Sequence, residues 1–144
     1  MKLIIQRVSK AKVTINQKTI GQIKKGYLVL VGFRVGDTKE KITSMAKKLI
    51  NLRIMADKNN KMNLSLAGVK GELLLVSQFT LYADTSSRRP GFTKSAKPGL
   101  AKNLFDQFVK ECQKSAIKVQ TGEFGAYMQV EIHNDGPVTI ILEN

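Results

Sequence analysis

The first quarter of the chain alternates apolar and polar residues with a period of two, which is typical of β-strands. The alternation predicts strands over residues 3–7 or 3–8, 11–15 and 19–23, with a turn at 16–18. The run 27–33 is apolar at nearly every position, which favours a central strand buried on both faces. The first 33 residues therefore predict four strands.

Two later segments change to the 3.6-residue period of amphipathic helices. The apolar positions are Ile42, Met45, Ala46, Leu49 and Ile50 within residues 37–51, and Leu100, Ala101, Leu104, Phe105, Phe108, Val109 and Cys112 after Pro98. Asp37, with Glu40 three residues later, resembles a capping box at the start of the first helix, although Ser or Thr is the usual cap. Cys112 lies on the apolar stripe, so we interpret it as a core residue rather than a nucleophile.

The rest of the chain predicts further strands and turns. The strands are at 52–55, 72–81, 126–133 and 138–142, and the turns are at 57–60 and 134–137. Strands interrupted by two helices, in a chain of 144 residues, indicate a single α+β domain covering 1–144. We expect a largely antiparallel, barrel-like β-sheet covered by the two helices.

The distribution of charge points to a polyanionic partner. The chain has 24 Lys and Arg residues against 11 Asp and Glu residues, a formal net charge of +13. No acidic residue precedes Asp37, and a second basic block contains Arg88, Arg89, Lys94, Lys97 and Lys102. Such a field attracts nucleic acid, although a charge that only keeps the protein soluble gives the same composition.

The sequence shows no targeting or membrane-spanning pattern. Its first residues turn polar before a secretory apolar region can form, and the apolar run 27–33 is far shorter than the ~20 residues needed to span a bilayer. The single cysteine favours a reducing compartment. We therefore expect a cytoplasmic protein with no membrane partner.

Several kinds of chemistry are excluded by composition. One His and one Cys cannot supply the usual zinc ligands, and the sequence contains no glycine-rich phosphate-binding motif. We therefore expect neither a metal nor another cofactor. The one possible base, His133, falls in an alternating strand and is better explained as structural or surface. Catalysis would have to use backbone groups, hydroxyls or the substrate itself.

Two polar segments interrupt the apolar pattern. Residues 76–81 place three polar side chains around an aromatic one, and residues 134–139 place a turn-like tetrad before the last strand. A strand end explains the first segment and a plain turn explains the second, because Asn, Asp, Gly and Pro all favour turns. A functional role is the alternative for each.

A set of motifs in a fixed order resembles the D-aminoacyl-tRNA deacylase family, which hydrolyses the ester between a D-amino acid and tRNA. The motifs are Ile5-Gln6-Arg7-Val8, Asn51-Leu52-Arg53-Ile54, Val76-Ser77-Gln78-Phe79-Thr80-Leu81, Arg89-Pro90, Thr121-Gly122, Phe124-Gly125-Ala126, Met128-Gln129-Val130 and Asn134-Asp135-Gly136-Pro137-Val138-Thr139. They run essentially from end to end. The loop 84–90 is shorter than the usual family pattern by about one residue, which affects the expected tRNA contact rather than the chemistry.

The resemblance implies a homodimer with two active sites at the subunit interface and the 3′ end of aminoacylated tRNA as substrate. The catalytic pocket is then lined by Ser77, Gln78, Phe79 and Thr80. Gly136 and Pro137, joined by a cis peptide bond, enter the partner's pocket and select the chirality of the substrate. Arg7 supports the site, and RNA is contacted by Arg88, Arg89, Lys94 and Lys97.

The expected selection works by collision. The Gly136 carbonyl accepts a hydrogen bond from the substrate ammonium. In that position the side chain of an L-amino acid collides with the protein backbone and the substrate is rejected. Glycine has no side chain and is therefore not rejected. Glycyl-tRNA mischarged on tRNA-Ala is thus an expected second substrate. Backbone N–H groups near Phe79 would stabilise the oxyanion. Thr80 would position the substrate, because no base that could activate it is evident.

Three other readings stay open at this point. One is a non-catalytic RNA-binding module of the same fold, which would bind RNA without turnover. Another is a dimeric structural protein whose charge only solubilises it. The third is a deacylase for L-aminoacyl or peptidyl esters, which would need a different pocket wall.

Overall fold

The computed structural model describes residues 1–144 and contains eight strands and two α-helices. In chain order these are β1 Lys2–Ile15, β2 Lys18–Ile23, β3 Gly26–Gly32, α1 Lys39–Ile50, β4 Met55–Ala56, β5 Met62–Leu64, β6 Glu72–Ser77, α2 Pro98–Gln113, β7 Val119–Thr121 and β8 Gln129–Glu143. Two short 3-10 turns, Ala67–Val69 and Phe79–Tyr82, flank β6.

The sheet is built around β1. One edge of β1 pairs antiparallel with β3 and then β2, and its other edge pairs antiparallel with β8 along most of its length. The order continues from β3 through parallel pairs to β6 and β7. A Cβ at Gly21 in β2 would lie 2.5 Å from the Thr121 carbonyl oxygen in β7, so the sheet curls until its ends meet. The expected barrel-like, largely antiparallel sheet covered by two helices is confirmed.

Both faces of β3 are buried, as its apolar run predicted, and both faces of β6 are buried as well. Alternate residues such as Val29 and Leu73 join a cluster of 24 buried side chains that includes the inner faces of α1 and α2. Their neighbours Leu28 and Leu74 join a second cluster of seven inside the curled sheet. The helices therefore cover one face of the sheet, and neither is long and apolar enough to cross a membrane.

Two predicted strand breaks are wrong because a neighbouring strand keeps the chain extended. β1 continues through Ser9 and Lys10, and Lys10 pairs with His133 of β8. The tail is also one strand, since residues 134–137 form a bulge against β1 instead of a turn. At this bulge a single residue of β1, Arg7, faces residues 135–138 of β8.

Two other predicted strands are shorter than expected, the first by its last four residues and the second, at 52–55, by all but Met55. The strand 72–81 ends at Ser77 because the parallel ladder with β3 ends at the pair Val31 and Ser77. Residues 52–54 are irregular because their carbonyls bind side chains instead of another strand. The Tyr27 hydroxyl donates to the Leu52 oxygen at 3.0 Å, and Arg7 donates to the Ile54 oxygen at 2.9 Å.

The N-cap of the first helix lies one residue later than the capping box predicted. Thr38 is its N-cap, and the Asp37 side chain is fully buried. Asp37 accepts a hydrogen bond from the Met1 ammonium at 2.6 Å and from the Arg34 backbone N–H at 2.9 Å. Asp37 therefore ties the start of β1 to the segment after β3. In the second helix the only departure from the expected stripe is Leu100, which is 48% exposed.

Candidate active site

The polar segment after β6 forms a tight turn at the edge of the sheet. The Gln78 backbone N–H donates to the Val31 carbonyl at 2.8 Å, and the 3-10 turn Phe79–Tyr82 follows. This turn lies directly over Gly32, where a Cβ would be 2.9 Å from the Leu81 Cβ. The end of β3 therefore needs glycine so that the turn can pack against it.

Gln78 and Thr80 form a hydrogen-bonded pair at the surface. The Gln78 Nε2 atom donates to the Thr80 Oγ1 atom at 2.6 Å. No carboxylate, imidazole or amine is hydrogen-bonded to that hydroxyl. The contact fixes the orientation of Thr80 without activating it as a nucleophile.

Phe79 separates two cavities. The larger, about 580 Å³, has Phe92, Phe124 and Lys97 among its lining residues. The smaller, about 240 Å³, lies between Ser77, Gln78 and the segment 125–128. Gly125 also lines both cavities, so the two cavities share a wall made of Phe79 and Gly125.

The aromatic wall of the larger cavity is open to solvent. Phe79 is 52% and Phe92 39% exposed, and their rings meet edge to face with centroids 5.0 Å apart. The Ser95 hydroxyl donates to the Phe79 carbonyl at 2.9 Å and holds the turn in place. Exposed aromatic faces in a basic protein suit the stacking of a nucleobase.

Arg7 supports the bulge that contains the Gly136–Pro137 bond, which is cis as the resemblance implied. The Arg7 side chain is largely buried, and its Nε atom donates to the Asp135 carbonyl at 2.9 Å. Its Nη1 atom donates to the Ile54 carbonyl at 2.9 Å. A Cβ at Gly136, whose φ is +131°, would lie 3.1 Å from Arg7 Nη2. The guanidinium therefore occupies the space beneath this glycine.

The bulge and the Ser77–Thr80 turn do not meet within one chain. No hydrogen bond or ion pair joins them, and neither cavity beside Phe79 is lined by Gly136 or Pro137. Both Gly136 and Pro137 are exposed. The structure thus brings Arg7 to the bulge, and it shows neither a hydrogen bond nor a shared cavity between the bulge and its own turn.

The basic residues expected at the RNA surface lie in the segment 88–97, which also contributes Phe92 to the wall of the larger cavity. Arg88 and Arg89 are exposed on a loop closed by reciprocal backbone hydrogen bonds between Asp84 and Gly91, at 2.7 and 2.9 Å. Hydrogen bonds from Ser86 and the nearby Lys94 ammonium lower the pKa of the Asp84 carboxyl to about 2. Lys94 forms an ion pair with Asp84 at 3.2 Å. Lys97 lines the cavity itself.

The remaining reactive side chains lie away from this turn. His133 is exposed on β8, and its carbonyl accepts a hydrogen bond from the Ser9 hydroxyl at 3.3 Å. Cys112 is fully buried in α2, and burial raises the pKa of its thiol to about 12. No group of three or more His, Cys, Asp and Glu side chains is arranged to hold a metal ion.

Sequence reasoning missed three residues of the cavity walls. Phe92 and Ser95 lie in the basic block, and Phe124 lies in one of the quoted motifs without an assigned role. An aromatic residue among basic ones was the available signal for Phe92, because this combination is common in single-stranded nucleic-acid sites. Nothing in the sequence indicates the contact between Ser95 and the Phe79 carbonyl.

Relatives that carry a functional name match the chain over its full length. Proteins called D-aminoacyl-tRNA deacylase from Thermosipho africanus (strain TCF52B) and Clostridioides difficile (strain 630) are 54% and 52% identical to it over 145 residues. Each match covers 100% of this chain and 97% of the relative. Fold and relatives together define a hydrolase of aminoacyl-tRNA ester bonds.

Two solved structures share the fold, and a family model matches nearly the whole chain. A structure titled "c-Myc DNA Unwinding Element Binding Protein" has a TM-score of 0.95 at 37% identity, and the match covers 100% of this chain and 99% of the other. A probable eukaryotic D-amino acid tRNA deacylase, at 17% identity and TM-score 0.86 over 98% and 97% of the chains, shares the fold. The family model described as D-Tyr-tRNA(Tyr) deacylase matches residues 4–143, and the chain belongs to this family.

Proposed function

We propose that this protein hydrolyses the ester of D-aminoacyl-tRNA and releases the D-amino acid and the tRNA, as a chiral proofreading step. Glycyl-tRNA mischarged on tRNA-Ala is a second substrate. The observation that carries the proposal is the Ser77–Thr80 turn between two cavities, one of them walled by exposed aromatic rings. We place the activity in a single domain, residues 1–144, acting in the cytoplasm on charged tRNA.

The larger cavity takes the terminal adenosine. Its volume of about 580 Å³ falls within the range of small-molecule sites, and the Phe79 and Phe92 faces offer stacking surfaces for adenine. The aminoacyl ester then lies over Ser77, Gln78 and Thr80. The Thr80 hydroxyl, already oriented by Gln78, positions the ester or the attacking water.

Hydrolysis uses the backbone at the start of the turn. The first hydrogen bond of the 3-10 turn runs from the Leu81 N–H to the Gln78 carbonyl, so the N–H groups of Phe79 and Thr80 precede it and are not used by the turn. Water attacks the ester carbonyl, the carbon–oxygen bond to the ribose breaks, and the ribose oxygen takes the proton. Each donor to the oxyanion contributes ~10²–10³ in rate, and the neighbouring ribose hydroxyl assists the attack.

The active enzyme is a homodimer with active sites at the subunit interface. β8 is 15 residues long and pairs only through β1, so its outer edge offers unpaired backbone groups that a second chain can cover. Ile132 and Ile141 on this strand are 38% and 62% exposed, and nearby Tyr127 is 93% exposed. A two-fold arrangement lets the bulge of each subunit reach the other's turn.

In the dimer, Gly136 and Pro137 select chirality. The Gly136 carbonyl accepts a hydrogen bond from the substrate ammonium, and Arg7 holds the preceding Asp135 carbonyl in place. A D side chain then points outward, whereas an L side chain meets backbone. Glycine has no side chain to collide, so it is cleaved.

Basic residues around the site bind the RNA. Arg88, Arg89 and Lys97 are exposed and form no ion pair, and Lys94 forms only the exposed pair with Asp84. Exposed ion pairs contribute little stability, so a phosphate can replace the carboxylate.

The proposal is tested by comparing D-tyrosyl-, L-tyrosyl- and glycyl-tRNA as substrates of the wild-type enzyme. We expect rapid release of D-tyrosine, slower but measurable release of glycine, and intact L-tyrosyl-tRNA. Gly136→Ala adds a methyl group that would crowd Val138 and Arg7 at a positive φ, which displaces the bulge and should lower D activity without creating L activity. Rapid L-tyrosyl cleavage would contradict selection by collision, and tRNA binding without turnover would identify a binding module instead.

A further inference from the structure

A basic groove of about 620 Å³ lies beside the candidate active site. Its walls come from the start of β1, the segment after β3, the end of the 3-10 turn and the segment before α2. Its charged side chains are Lys2, Arg34, Lys94 and Glu143, three basic and one acidic. The roles proposed so far use only Lys94 among them.

The groove begins where the aromatic cavity ends. Thr93 lines both spaces. The Lys2 ammonium donates to the Leu81 carbonyl at 3.4 Å, and Leu81 directly follows Thr80. Lys2 also lies 5.0 Å from the centroid of the Tyr82 ring, which is part of the groove wall. A chain leaving the cavity past Thr93 therefore enters a cationic surface.

The cations of the groove can exchange their present partners for phosphate. The Arg34 guanidinium is 3.9 Å from Asp37, but that carboxylate already accepts the Met1 ammonium at 2.6 Å. Lys94, with a side chain 67% exposed, pairs with Asp84 at 3.2 Å, and Lys2 pairs with Glu143 at 3.3 Å. The Lys94 pair is exposed on both sides and contributes little stability. The guanidinium of Arg34 can bind phosphate oxygens through two parallel hydrogen bonds.

We propose that this groove binds the backbone phosphates of the tRNA nucleotides that precede the terminal adenosine. The proposal rests on the proposed function, since it assumes that adenosine occupies the cavity beside Phe79. Phosphate contacts orient a nucleic acid without reading its sequence. One surface can therefore serve tRNAs that differ elsewhere but share a single-stranded 3′ end.

The test compares two D-tyrosyl esters, one on tRNA and one on adenosine, which has no phosphate. We expect the double variant Arg34→Gln/Lys94→Gln to raise KM for D-tyrosyl-tRNA at least tenfold. On D-tyrosyl-adenosine the change should stay below twofold. The slope of log KM against log salt should fall by about 1.4, since each lost contact to single-stranded RNA removes about 0.7.

The matched control is Lys18→Gln/Lys25→Gln, which removes the same charge from exposed lysines at the two ends of β2. This control should change neither KM by more than twofold. Equal effects of the two double variants would contradict the groove proposal and would show only a general attraction of tRNA to the positively charged protein. Equal loss on both substrates by the groove variant would also overturn it. Because Arg34 donates to the Asn144 carbonyl at 3.1 Å, Lys94→Gln alone provides a readout free of that contact.

The same data separate this inference from the proposed function. Wild-type hydrolysis of either ester tests the proposed function directly. If the wild type cleaves both esters and the groove variants do not change KM for tRNA, the activity stands and the groove proposal fails. If the wild type cleaves neither ester, the proposed function fails regardless of the groove.

Discussion

Arg7 connects two parts of the chain that are far apart in sequence. Its guanidinium donates to the carbonyls of Ile54 and Asp135 and lies against Gly136. Arg7 is only 9% exposed, so water has little access to these carbonyls and could not easily take the place of the guanidinium. One buried cation thereby fixes both the irregular segment after α1 and the bulge of β8.

Replacing Arg7 should loosen the bulge and weaken activity together. Arg7→Met leaves two carbonyls unpaired, and each hydrogen bond from a charged group contributes about 1.5–3 kcal/mol. We expect a loss of about 3 kcal/mol in the free energy of unfolding and at least a tenfold fall in D-tyrosyl-tRNA hydrolysis. Denaturant unfolding and initial rates provide the two measurements.

Arg7→Lys and Arg53→Lys complete this test. Lysine keeps the charge but cannot donate in two fixed directions, so Arg7→Lys should recover only part of the loss. Arg53 is an exposed arginine that donates to Asn63 within the β4–β5 hairpin, and its replacement should leave hydrolysis unchanged. Full activity in Arg7→Met would show that the guanidinium does not support the site.

Buried thiol and hydroxyl groups make the stability of the fold sensitive to alkali, and Tyr82 is one of them because burial also raises the pKa of its hydroxyl. Burial raises the pKa of the Cys112 thiol and of the Tyr27 hydroxyl to about 12, from ordinary values of 9.0 and 10.0. Between those values and 12 the unfolded chain loses protons that the folded chain keeps. The free energy of unfolding should therefore be unaffected by these groups below pH 9 and should fall as the pH rises to 12.

Urea titrations at several pH values measure this dependence. Cys112→Ala should fall less steeply between pH 9 and 12, because one of these groups is gone. The native thiol should also resist a thiol reagent at pH 8 and react once the chain is unfolded. Rapid labelling of the folded protein would contradict its placement in the core.

At the scale of single residues, the sequence predicted Ser77–Thr80 as candidate site residues but placed them in a strand and not in a turn. Its polar residues interrupt an apolar strand, and that signal is local. The contacts that shape the turn are not local. Ser95 reaches the Phe79 carbonyl from 16 residues away, and the Leu81 side chain packs over Gly32. Such contacts depend on how distant elements pack against each other, and no local pattern in a single sequence indicates that packing.

At the scale of elements, periodicity predicted those helices and strands whose form depends only on which of their faces are buried. The helices and the doubly buried strand β3 have strong patterns because one face or both faces meet the core. The long strands β1 and β8 were each divided in two, since Ser9-Lys10 and residues 134–137 resemble breaks. Each strand continues because the other supplies hydrogen bonds beyond the apparent break.

At Gly26 the backbone of β6 leaves no room for a side chain on β3. A Cβ there would lie 1.9 Å from the Glu72 carbonyl oxygen, which is backbone and cannot move aside. Gly26→Ala should lower the free energy of unfolding by about 2–3 kcal/mol through overpacking. Gly99→Ala, in the first turn of α2 with nothing within 4 Å of the new methyl, should be neutral or slightly stabilising. Thermal unfolding of both variants compares them, and equal midpoints would refute the close approach.

At the scale of the molecule, the exposed strand β8 predicts an assembly. Light scattering should give about twice the chain mass of 16.0 kDa at micromolar concentration. Ile141→Glu places a charge on the outward face of the sheet, beside Ile4 of β1, and should shift the mass toward one chain. Leu100→Glu changes an exposed apolar residue of α2 and should leave the mass unchanged. An active monomer would exclude a pocket completed by the partner.

The pairing of β1 with β8 also determines how long β1 stays without its partner strand during synthesis. Residue 2 pairs with residue 143, so one edge of the first strand has no partner until almost the whole chain has been made. At 5–20 residues per second that interval is roughly 7–30 s. During it β1 is an open edge at which nascent chains can associate. Lys2, Lys10 and Lys12, with no acid to neutralise them in the first 36 residues, repel such encounters while the strand waits for its partner.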